Sequence, residues 1–218
     1  MPDSQAARLN MVDAQLRTNR VTDPELLTAF ETVPRELFLP EALRGLAYID
    51  EDIRISEGRY LMEPMVLARL IQAAEPLAGD VALDVGCGTG YATAILARLV
   101  ATAIGLECRP EFARQANEIL SGIDADNAVV IEGPLSDGYA RQAPYNVILI
   151  NGAVPELPQA LLDQLADGGR LVAVVRRERD IGRATLALRT GEVVSSRVLF
   201  DASIPILPEF DRAPGFVF

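Results

Sequence analysis

The stretch Val81-Ala-Leu-Asp-Val-Gly-Cys-Gly-Thr-Gly-Tyr91 decides the fold of this 218-residue chain. Val81 to Val85 is a short apolar run typical of a strand buried on both faces, and the apolar residues from Tyr91 to Val100 recur at helical spacing. The glycines between them allow a sharp turn and a close approach of the backbone to a ligand. The pattern predicts a strand, a glycine turn and a helix whose N-terminus points at a bound nucleotide.

The spacing of the glycines distinguishes between nucleotide cofactors. Gly86, Gly88 and Gly90 form the pattern Gly-x-Gly-x-Gly. In the dinucleotide pattern Gly-x-Gly-x-x-Gly the third glycine would fall on Tyr91, where close packing of helix on strand requires glycine. The turn therefore favours S-adenosylmethionine (SAM) over NAD, and a nicotinamide-type binder is the minor alternative.

Two acidic residues stand at the ends of predicted strands. Asp84 ends the first strand, where open α/β sheets bind ligands, and its carboxylate can pair with the ammonium of a methionine moiety. Glu107 ends the second strand, about 20 residues beyond the first glycine, where a carboxylate accepts both ribose hydroxyls. The alternatives are that Asp84 only caps the turn and that Glu107 is exposed to solvent. Because both residues stand at the expected positions relative to the glycine turn, the binding roles are favoured.

The remaining periodicity predicts an α/β fold of the Rossmann-like, doubly wound type with a mostly parallel sheet. Apolar and turn patterns place helices at 110–120 and 156–166 and further strands at 102–106, 128–132, 146–150 and 170–175. Two strand-like runs around Thr190-Gly191 predict an antiparallel edge hairpin. We expect an N-terminal helical extension and substrate-side loop over 1–62 and a SAM-binding domain over 63–218, packed as a single compact unit.

Local patterns also predict the structure before the glycine turn and at the C-terminal end of the sequence. Asp23-Pro24 is a predicted helix start, and Pro64 begins a second helix that runs through Ala74. Tyr48 to Met62 is polar and has no sustained period, which predicts a loop. Ile204 to Phe218 contains three prolines and three phenylalanines, so we expect an extended tail docked by its aromatic rings.

Composition limits the partners and the chemistry. The net charge of −11 disfavours nucleic acid and anionic membranes as partners. The longest aliphatic run, Val147 to Ile150, is far too short to cross a bilayer, and no targeting pattern is present, so we expect a cytoplasmic protein. Cys87 and Cys108 lack metal-ligand spacing and are expected to be free thiols, with a catalytic thiolate as the minor alternative. Histidine is absent, so any reaction proceeds without imidazole.

Nearly the whole chain resembles the protein-L-isoaspartate O-methyltransferase family. The similar stretches are Val33-Pro-Arg-Glu-Leu-Phe-Leu-Pro-Glu-Ala-Leu43, the glycine turn, Gly138-Tyr-Ala with Ala143-Pro-Tyr-Asn146, and Pro158 to Val172. The family methylates the free carboxylate of L-isoaspartyl residues with SAM. The resemblance implies a SAM-dependent protein carboxyl O-methyltransferase that acts in protein repair on a protein or peptide carboxylate. Such a carboxylate is ionised at pH 7, so the reaction needs no histidine base.

The resemblance also implies a set of cofactor-binding positions. They are Asp84, Gly86, Cys87, Gly88, Gly90, Glu107, Cys108, Gly133, Pro134 and Leu135. The family carries Gly-Asp-Gly where this chain has Gly133-Pro134-Leu135, and its aspartate receives the adenine amino group. Pro134 offers neither a carboxylate nor an N–H. The backbone N–H of Leu135, or the side chain of Ser136 or Asp137, is left to contact the adenine.

The substrate-side segment departs from the family in the same way. The family's Thr-Ile-Ser segment, whose serine contacts the substrate, corresponds here to Tyr60-Leu61-Met62. Met62 therefore occupies the catalytic serine position, although a thioether cannot donate a hydrogen bond. A core methionine under the cofactor loop is the alternative. Arg59, Tyr60 and Glu63 are the expected substrate wall, and Arg59 can pair with a carboxylate bidentately.

Three interpretations stay open on the sequence. The chain is an active isoaspartyl-directed methyltransferase, a SAM enzyme that methylates another acceptor, or a non-catalytic binding module. The glycine turn with Asp84 and Glu107 favours the two enzymes, and the residues at 60 and 62 separate them. Because two small hydroxyl residues of the family are replaced by Tyr60 and Met62, we expect low activity on isoaspartyl peptides.

Overall fold

The structure is a computed structural model that describes residues 4–177 and 180–211. In this part of the chain the strands are Ile53–Ser56 (β1), Arg59–Leu61 (β2), Val81–Val85 (β3), Thr102–Glu107 (β4), Ala128–Glu132 (β5), Tyr145–Val154 (β6), Leu165–Val175 (β7), Arg183–Thr190 (β8) and Val193–Asp201 (β9). The α-helices are Ser4–Met11 (α1), Pro24–Thr32 (α2), Pro64–Ala74 (α3), Tyr91–Ala97 (α4), Pro110–Gly122 (α5) and Gln159–Leu162 (α6). Short helical turns of other types are Val12–Leu16, Arg17–Asn19, Arg35–Phe38, Glu41–Leu46, Leu135–Asp137 and Pro208–Phe210.

A seven-stranded sheet forms the centre of the fold, in the order β5-β4-β3-β6-β7-β8-β9. Strands β3 to β7 are parallel, and β8 and β9 add an antiparallel hairpin at one edge. The predicted doubly wound sheet with its edge hairpin is therefore confirmed. After β5 the chain returns to the opposite side of β3, so the strand order reverses between β3 and β6. Open α/β sheets bind ligands outside the carboxyl ends of their strands at such a point.

The core lies on both faces of this sheet because its central strands, such as β3 and β6, are mostly apolar and buried. Ala82 of β3 belongs to one buried cluster, which also contains residues of the N-terminal helices, α3 and α4. Leu83 and Val85, which point to the opposite face, belong to a second cluster with residues of β6 and α6. Each fully buried leucine or valine contributes about 1.5–3 kcal/mol through its removal from water. The alternating burial holds the carboxyl end of β3 rigidly in place.

The predicted helix starts are confirmed. Asp23 caps α2, since its Oδ1 accepts hydrogen bonds from the backbone N–H groups of Glu25 (2.9 Å) and Leu26 (3.0 Å). Pro64 is the first residue of α3. No helix among residues 4–177 and 180–211 has the length and apolar character that crossing a bilayer requires.

Two sequence-based predictions of local structure are wrong. The segment 48–62 contains the antiparallel hairpin β1–β2, in which Ile53 pairs with Leu61 and a bulge falls at Ser56. Its strands are only four and three residues long, too short to show a period in the sequence. The helix predicted over 156–166 is a single turn, because Leu165 already pairs with Tyr145 as the start of β7.

The C-terminal strap, residues 204–211, crosses the carboxyl end of β6. The N–H of Ala153 donates to the Pro205 carbonyl (3.0 Å), and the N–H of Leu207 donates to the Ala153 carbonyl (2.9 Å). Leu207 is the buried anchor, only 3% exposed. Phe210 is half-buried and packs against the same hydrophobic cluster as Leu207, in keeping with the expected docking by an aromatic ring. Phe216 and Phe218 of that prediction lie outside the described residues.

Candidate functional site

The glycine turn joins β3 to α4 in the predicted position. Gly86, Gly88 and Gly90 have φ values of +76°, +55° and +91°. Residues other than glycine rarely adopt this left-handed backbone conformation. A Cβ atom at Gly90 would also lie 3.1 Å from the Cβ of Ala116 in α5. The turn therefore needs its glycines both for backbone conformation and for helix packing.

Asp84 lies at the carboxyl end of β3 and is fully buried. Its Oδ2 accepts a hydrogen bond from the Thr93 hydroxyl (2.7 Å), whereas its Oδ1 is buried without a hydrogen-bond partner among the described residues. Burial raises the pKa of Asp84 to about 7, against the opposing polar groups of Thr93 and Asn151. An unpaired carboxylate oxygen in this position suits a ligand that brings its own ammonium group.

Glu107 ends β4 and is also fully buried. It accepts backbone hydrogen bonds from Gly88 (2.9 Å), Cys108 (2.9 Å) and Arg109 (3.1 Å). Arg59 adds two more, from Nη2 (3.0 Å) and Nε (3.3 Å). A carboxylate offers about four lone-pair directions, so its acceptor capacity is filled in this conformation.

Arg59 is paired within the protein in this structure, and its role in a substrate wall stays a prediction. Its guanidinium is 1% exposed, lies on Glu107 and also donates to Oε1 of Glu209 in the strap (2.9 Å). Burial alone would lower the pKa of Arg59, but hydrogen bonds and charge attraction from Glu209 and Glu107 raise it above its usual value. A charge bound between two carboxylates is not available to a third, so Arg59 cannot recruit a substrate carboxylate from this position.

The other two residues of the expected wall are only partly buried. Tyr60 pairs with Arg54 across the β1–β2 hairpin. The backbone N–H of Glu63 donates to Oδ1 of Asp52 (2.8 Å). Burial, and then the neighbouring charges led by Asp50 and Asp52, raise the pKa of Glu63 to about 7. This side of the site is therefore acidic.

Met62 occupies a core position. Its side chain is 1% exposed and belongs to the larger hydrophobic cluster, which matches the alternative of a core methionine. Its carbonyl accepts a hydrogen bond from Nη2 of Arg35 (2.8 Å). Arg35 is itself fully buried, donates to the Ala47 carbonyl (2.7 Å) and lies 4.8 Å from the centre of the Tyr91 ring. Sequence reasoning missed Arg35, because one arginine in a helical entry segment carries no signal of burial.

The loop after β5 is placed beside the glycine turn. The N–H of Gly133 donates to the Glu107 carbonyl (3.1 Å), which holds the loop against the end of β4. Pro134 is exposed, while Leu135 is buried and its Cδ1 would lie 3.4 Å from a Cβ at Gly86. The Ser136 hydroxyl donates to the side chain of Asp137 (3.1 Å). The loop thus presents an apolar side chain to the crevice and leaves its polar groups outside.

Leu207 of the strap lies directly over the glycine turn. A Cβ at Gly86 would stand 3.0 Å from its Cδ1, and a Cβ at Gly152 would stand 2.6 Å from its Cγ. Gly86 follows the last residue of β3, and Gly152 lies near the carboxyl end of β6. Leu207 therefore fills the crevice at the reversal of strand order. The sequence did not indicate these contacts, because both glycines are distant from Leu207 along the chain.

Both cysteines are free thiols, as predicted. Burial raises the pKa of Cys87 well above its usual value. Burial and the hydrogen bond to Glu209 raise the pKa of Cys108 to about 12. A thiol that stays protonated at pH 7 is a poor nucleophile, which disfavours the alternative of a catalytic thiolate.

The chain matches the family model described as Protein-L-isoaspartate(D-aspartate) O-methyltransferase over residues 7–199. It is 34% identical over 203 residues to a protein-L-isoaspartate O-methyltransferase of Methanoculleus marisnigri, with 93% of this chain and 92% of that one covered. It is 40% identical over 182 residues to the protein of the same name from Methanospirillum hungatei, with 84% of each covered.

A solved structure shares the fold. It is a putative protein-L-isoaspartate O-methyltransferase from Plasmodium falciparum in complex with S-adenosyl-L-homocysteine (SAH). The match has a TM-score of 0.76 at 21% identity and covers 93% of this chain and 98% of that one.

Proposed function

The chain belongs to the protein-L-isoaspartate O-methyltransferase family, and from this we propose that it transfers a methyl group from SAM to the carboxylate of an isoaspartyl residue. The observation that carries the proposal is the glycine turn with Asp84 and Glu107 at the ends of adjacent strands. We further propose that the reaction serves protein repair in the cytoplasm. The free thiols of Cys87 and Cys108 are in keeping with a reducing compartment.

The residues around the turn have chemical groups that suit the polar groups of SAM. SAM supplies an electrophilic methyl group on a sulfonium centre when it is bound. Asp84, with its unpaired buried oxygen, would hold the ammonium of the methionine moiety. Glu107 would accept the ribose hydroxyls. The segment from Gly133 to Leu135 would flank the adenine, with the Leu135 backbone N–H as its polar contact.

The protein's contribution to the reaction is position and environment. The acceptor carboxylate has a pKa near 4 and is ionised at pH 7, so no side chain has to remove a proton from it. The buried surroundings of Asp84 and Glu107 exclude water from the place where the methyl group would be transferred. The serine of the family is absent at Met62, so orientation of the acceptor depends on backbone groups and on the shape of the crevice.

Two measurements test the proposal. Calorimetric titration with SAM and SAH should show binding, whereas NAD should show none. Radiolabelled SAM should transfer its methyl group to an isoaspartyl peptide and not to the same peptide with ordinary aspartate. The product should be a methyl ester, recognised by its release of methanol in base. Binding of NAD, or label on a site other than a carboxylate, would contradict the proposal.

A further inference from the structure

The C-terminal strap occupies the place that the proposed cofactor needs. Its backbone is held on both sides of Leu207, by the two hydrogen bonds with Ala153 and by a short helical turn over Pro208–Phe210. The Leu207 side chain lies against the glycine turn at Gly86 and against Gly152. A ligand that approaches the backbone at Gly86 has to take the space that Leu207 now fills.

A second contact, the ion pair of Arg59 with Glu107, obstructs the same crevice at the end of β4. Arg59 fills the acceptor capacity of Glu107 with two of its N–H groups. Glu209 of the strap accepts from the same guanidinium at 2.9 Å, so the strap holds Arg59 in place. Ribose hydroxyls cannot donate to Glu107 until the guanidinium moves away. The apolar plug and the ion pair therefore obstruct two different parts of one ligand.

We propose that the strap is an autoinhibitory element, and that SAM binds only after Leu207 withdraws from the glycine turn and Arg59 releases Glu107. This inference rests on the proposed function, because it assigns the ribose position to Glu107. The free protein then exists as closed and open forms. The apparent affinity for the cofactor is lower than the intrinsic affinity by the fraction of molecules that are open.

Titration with SAH tests the proposal through the strap alone. We would compare the unaltered protein with Glu209→Gln, which removes the charge that holds Arg59, and with Leu207→Ala, which empties the crevice. The matched control is Glu192→Gln, an exposed glutamate on the β8–β9 turn. Both strap variants should bind SAH about tenfold more tightly, because each raises the open fraction, whereas the control should bind as the unaltered protein does.

A second measurement does not depend on the stability of the variants. Hydrogen exchange at the Leu207 amide should be slow in the free protein, since this N–H donates to Ala153. Saturation with SAH should accelerate it, because the strap has to leave. Equal or greater protection with SAH bound would mean that the strap is a wall of the binding site, and the proposal would be overturned.

The outcomes separate this inference from the proposed function. Equal SAH affinity in the unaltered protein and both strap variants overturns autoinhibition and leaves the cofactor site in place. Binding by the strap variants alone supports both. If none of the proteins binds SAH, the cofactor assignment itself fails, and autoinhibition fails with it.

Discussion

The glycine turn and the segment Arg59–Glu63 lie on either side of one crevice, yet they resemble the family to different degrees. The turn keeps its three glycines in left-handed conformation and its two strand-end carboxylates. The segment has Tyr60 and Met62 at the two positions where the family resemblance implies small hydroxyl side chains. Its Arg59 is bound to Glu107, and its Met62 is in the core.

The difference shows which requirements are met by backbone and which by side chains. The turn depends on φ angles and on the register of β3 with β4, so its residues have few alternatives. Arg59 and Met62 turn toward the protein and make buried contacts there. In this structure Arg59 and Met62 therefore contribute to the buried interior.

The largest effect is expected from Glu107→Ala, which removes the group that both regions share. Arg59 would stay buried without its main partner, so the free energy of unfolding should fall by about 3–5 kcal/mol. Loss of the ribose contact should weaken SAH binding by about 1–3 kcal/mol, or roughly ten- to hundredfold. Urea unfolding and calorimetry measure the two effects.

Glu132→Ala is the matched control for Glu107→Ala. Glu132 stands opposite Glu107 in the neighbouring strand β5 and is exposed. Its loss should change neither stability nor affinity appreciably. If Glu107→Ala leaves both stability and SAH affinity unchanged, then Glu107 neither anchors Arg59 nor binds the ribose.

The stability of the protein should depend on pH, and a large part of this dependence should come from the buried Asp84 beside the glycine turn. The pKa of Asp84 is raised to about 7, so between about pH 4 and pH 7 the folded protein binds a proton that the unfolded chain has lost. Stability should therefore decrease as the pH rises through this range, by roughly 4 kcal/mol for this group. Asp84→Asn should lack that part of the decrease, measured by urea unfolding at several pH values.

The comparison for Asp84 is Asp126→Asn, an exposed aspartate, which should keep the pH dependence of the unaltered protein. Glu63 also has a raised pKa and contributes a decrease of the same sign in every one of these proteins. If Asp84→Asn shows the full decrease, then Asp84 is ionised in the free protein and the buried site tolerates its charge.

The double variant Tyr60→Thr plus Met62→Ser restores the family's hydroxyls and tests whether the substrate side limits activity. A positioned donor and a wider crevice should raise methyl transfer to an isoaspartyl peptide roughly a hundredfold over the unaltered protein. Because Met62 is buried, the change should also cost about 2–5 kcal/mol of stability. The radiolabel assay should therefore be run at low temperature and normalised to the SAH-binding fraction.

The two single variants show whether the hydroxyl or the extra space matters. Met62→Ser alone should restore part of the rate, and Tyr60→Thr alone less. Rapid turnover by the unaltered protein would contradict this prediction, and it would show that position 62 no longer needs a hydrogen-bond donor.

The smallest effect is expected in the adenine loop. Pro134→Asp restores the family's carboxylate at an exposed position, and one added hydrogen bond should tighten SAH binding about tenfold. Ser136→Asp is the control, because it adds the same charge two residues further along and should not tighten binding. Equal or poorer affinity for Pro134→Asp would indicate that the loop already contacts adenine through its backbone.

Local patterns predicted the parts of the fold that depend on local physics. The apolar run before Gly86, the cap at Asp23 and the proline at the start of α3 were all placed correctly, because each has a cause within a few residues. The hairpin β1–β2 was missed, since its strands are too short to show alternation. Helix α6 was overestimated because pairing of Leu165 with Tyr145 overrides the helical preference of its neighbours.

The candidate site was predictable at the level of elements but not of partners. Asp84 and Glu107 were located from their position after strands. The contact of Arg59 with Glu107 joins residues 48 apart, and nothing within either segment indicates it. The same holds for Arg35 under Met62 and for Leu207 over Gly86. Such contacts follow from topology, which brings the strap and the β1–β2 hairpin to the end of the sheet where the carboxylates lie.

The distance along the chain between Arg59 and Glu209 has a consequence for biosynthesis. The two residues are 150 positions apart, so Glu209 is synthesised well after Arg59. Domains fold from the N-terminal side during synthesis at about 5–20 residues per second. A nascent chain therefore completes the glycine turn and both of its carboxylates seconds before the strap exists. During that interval the strap cannot close the crevice.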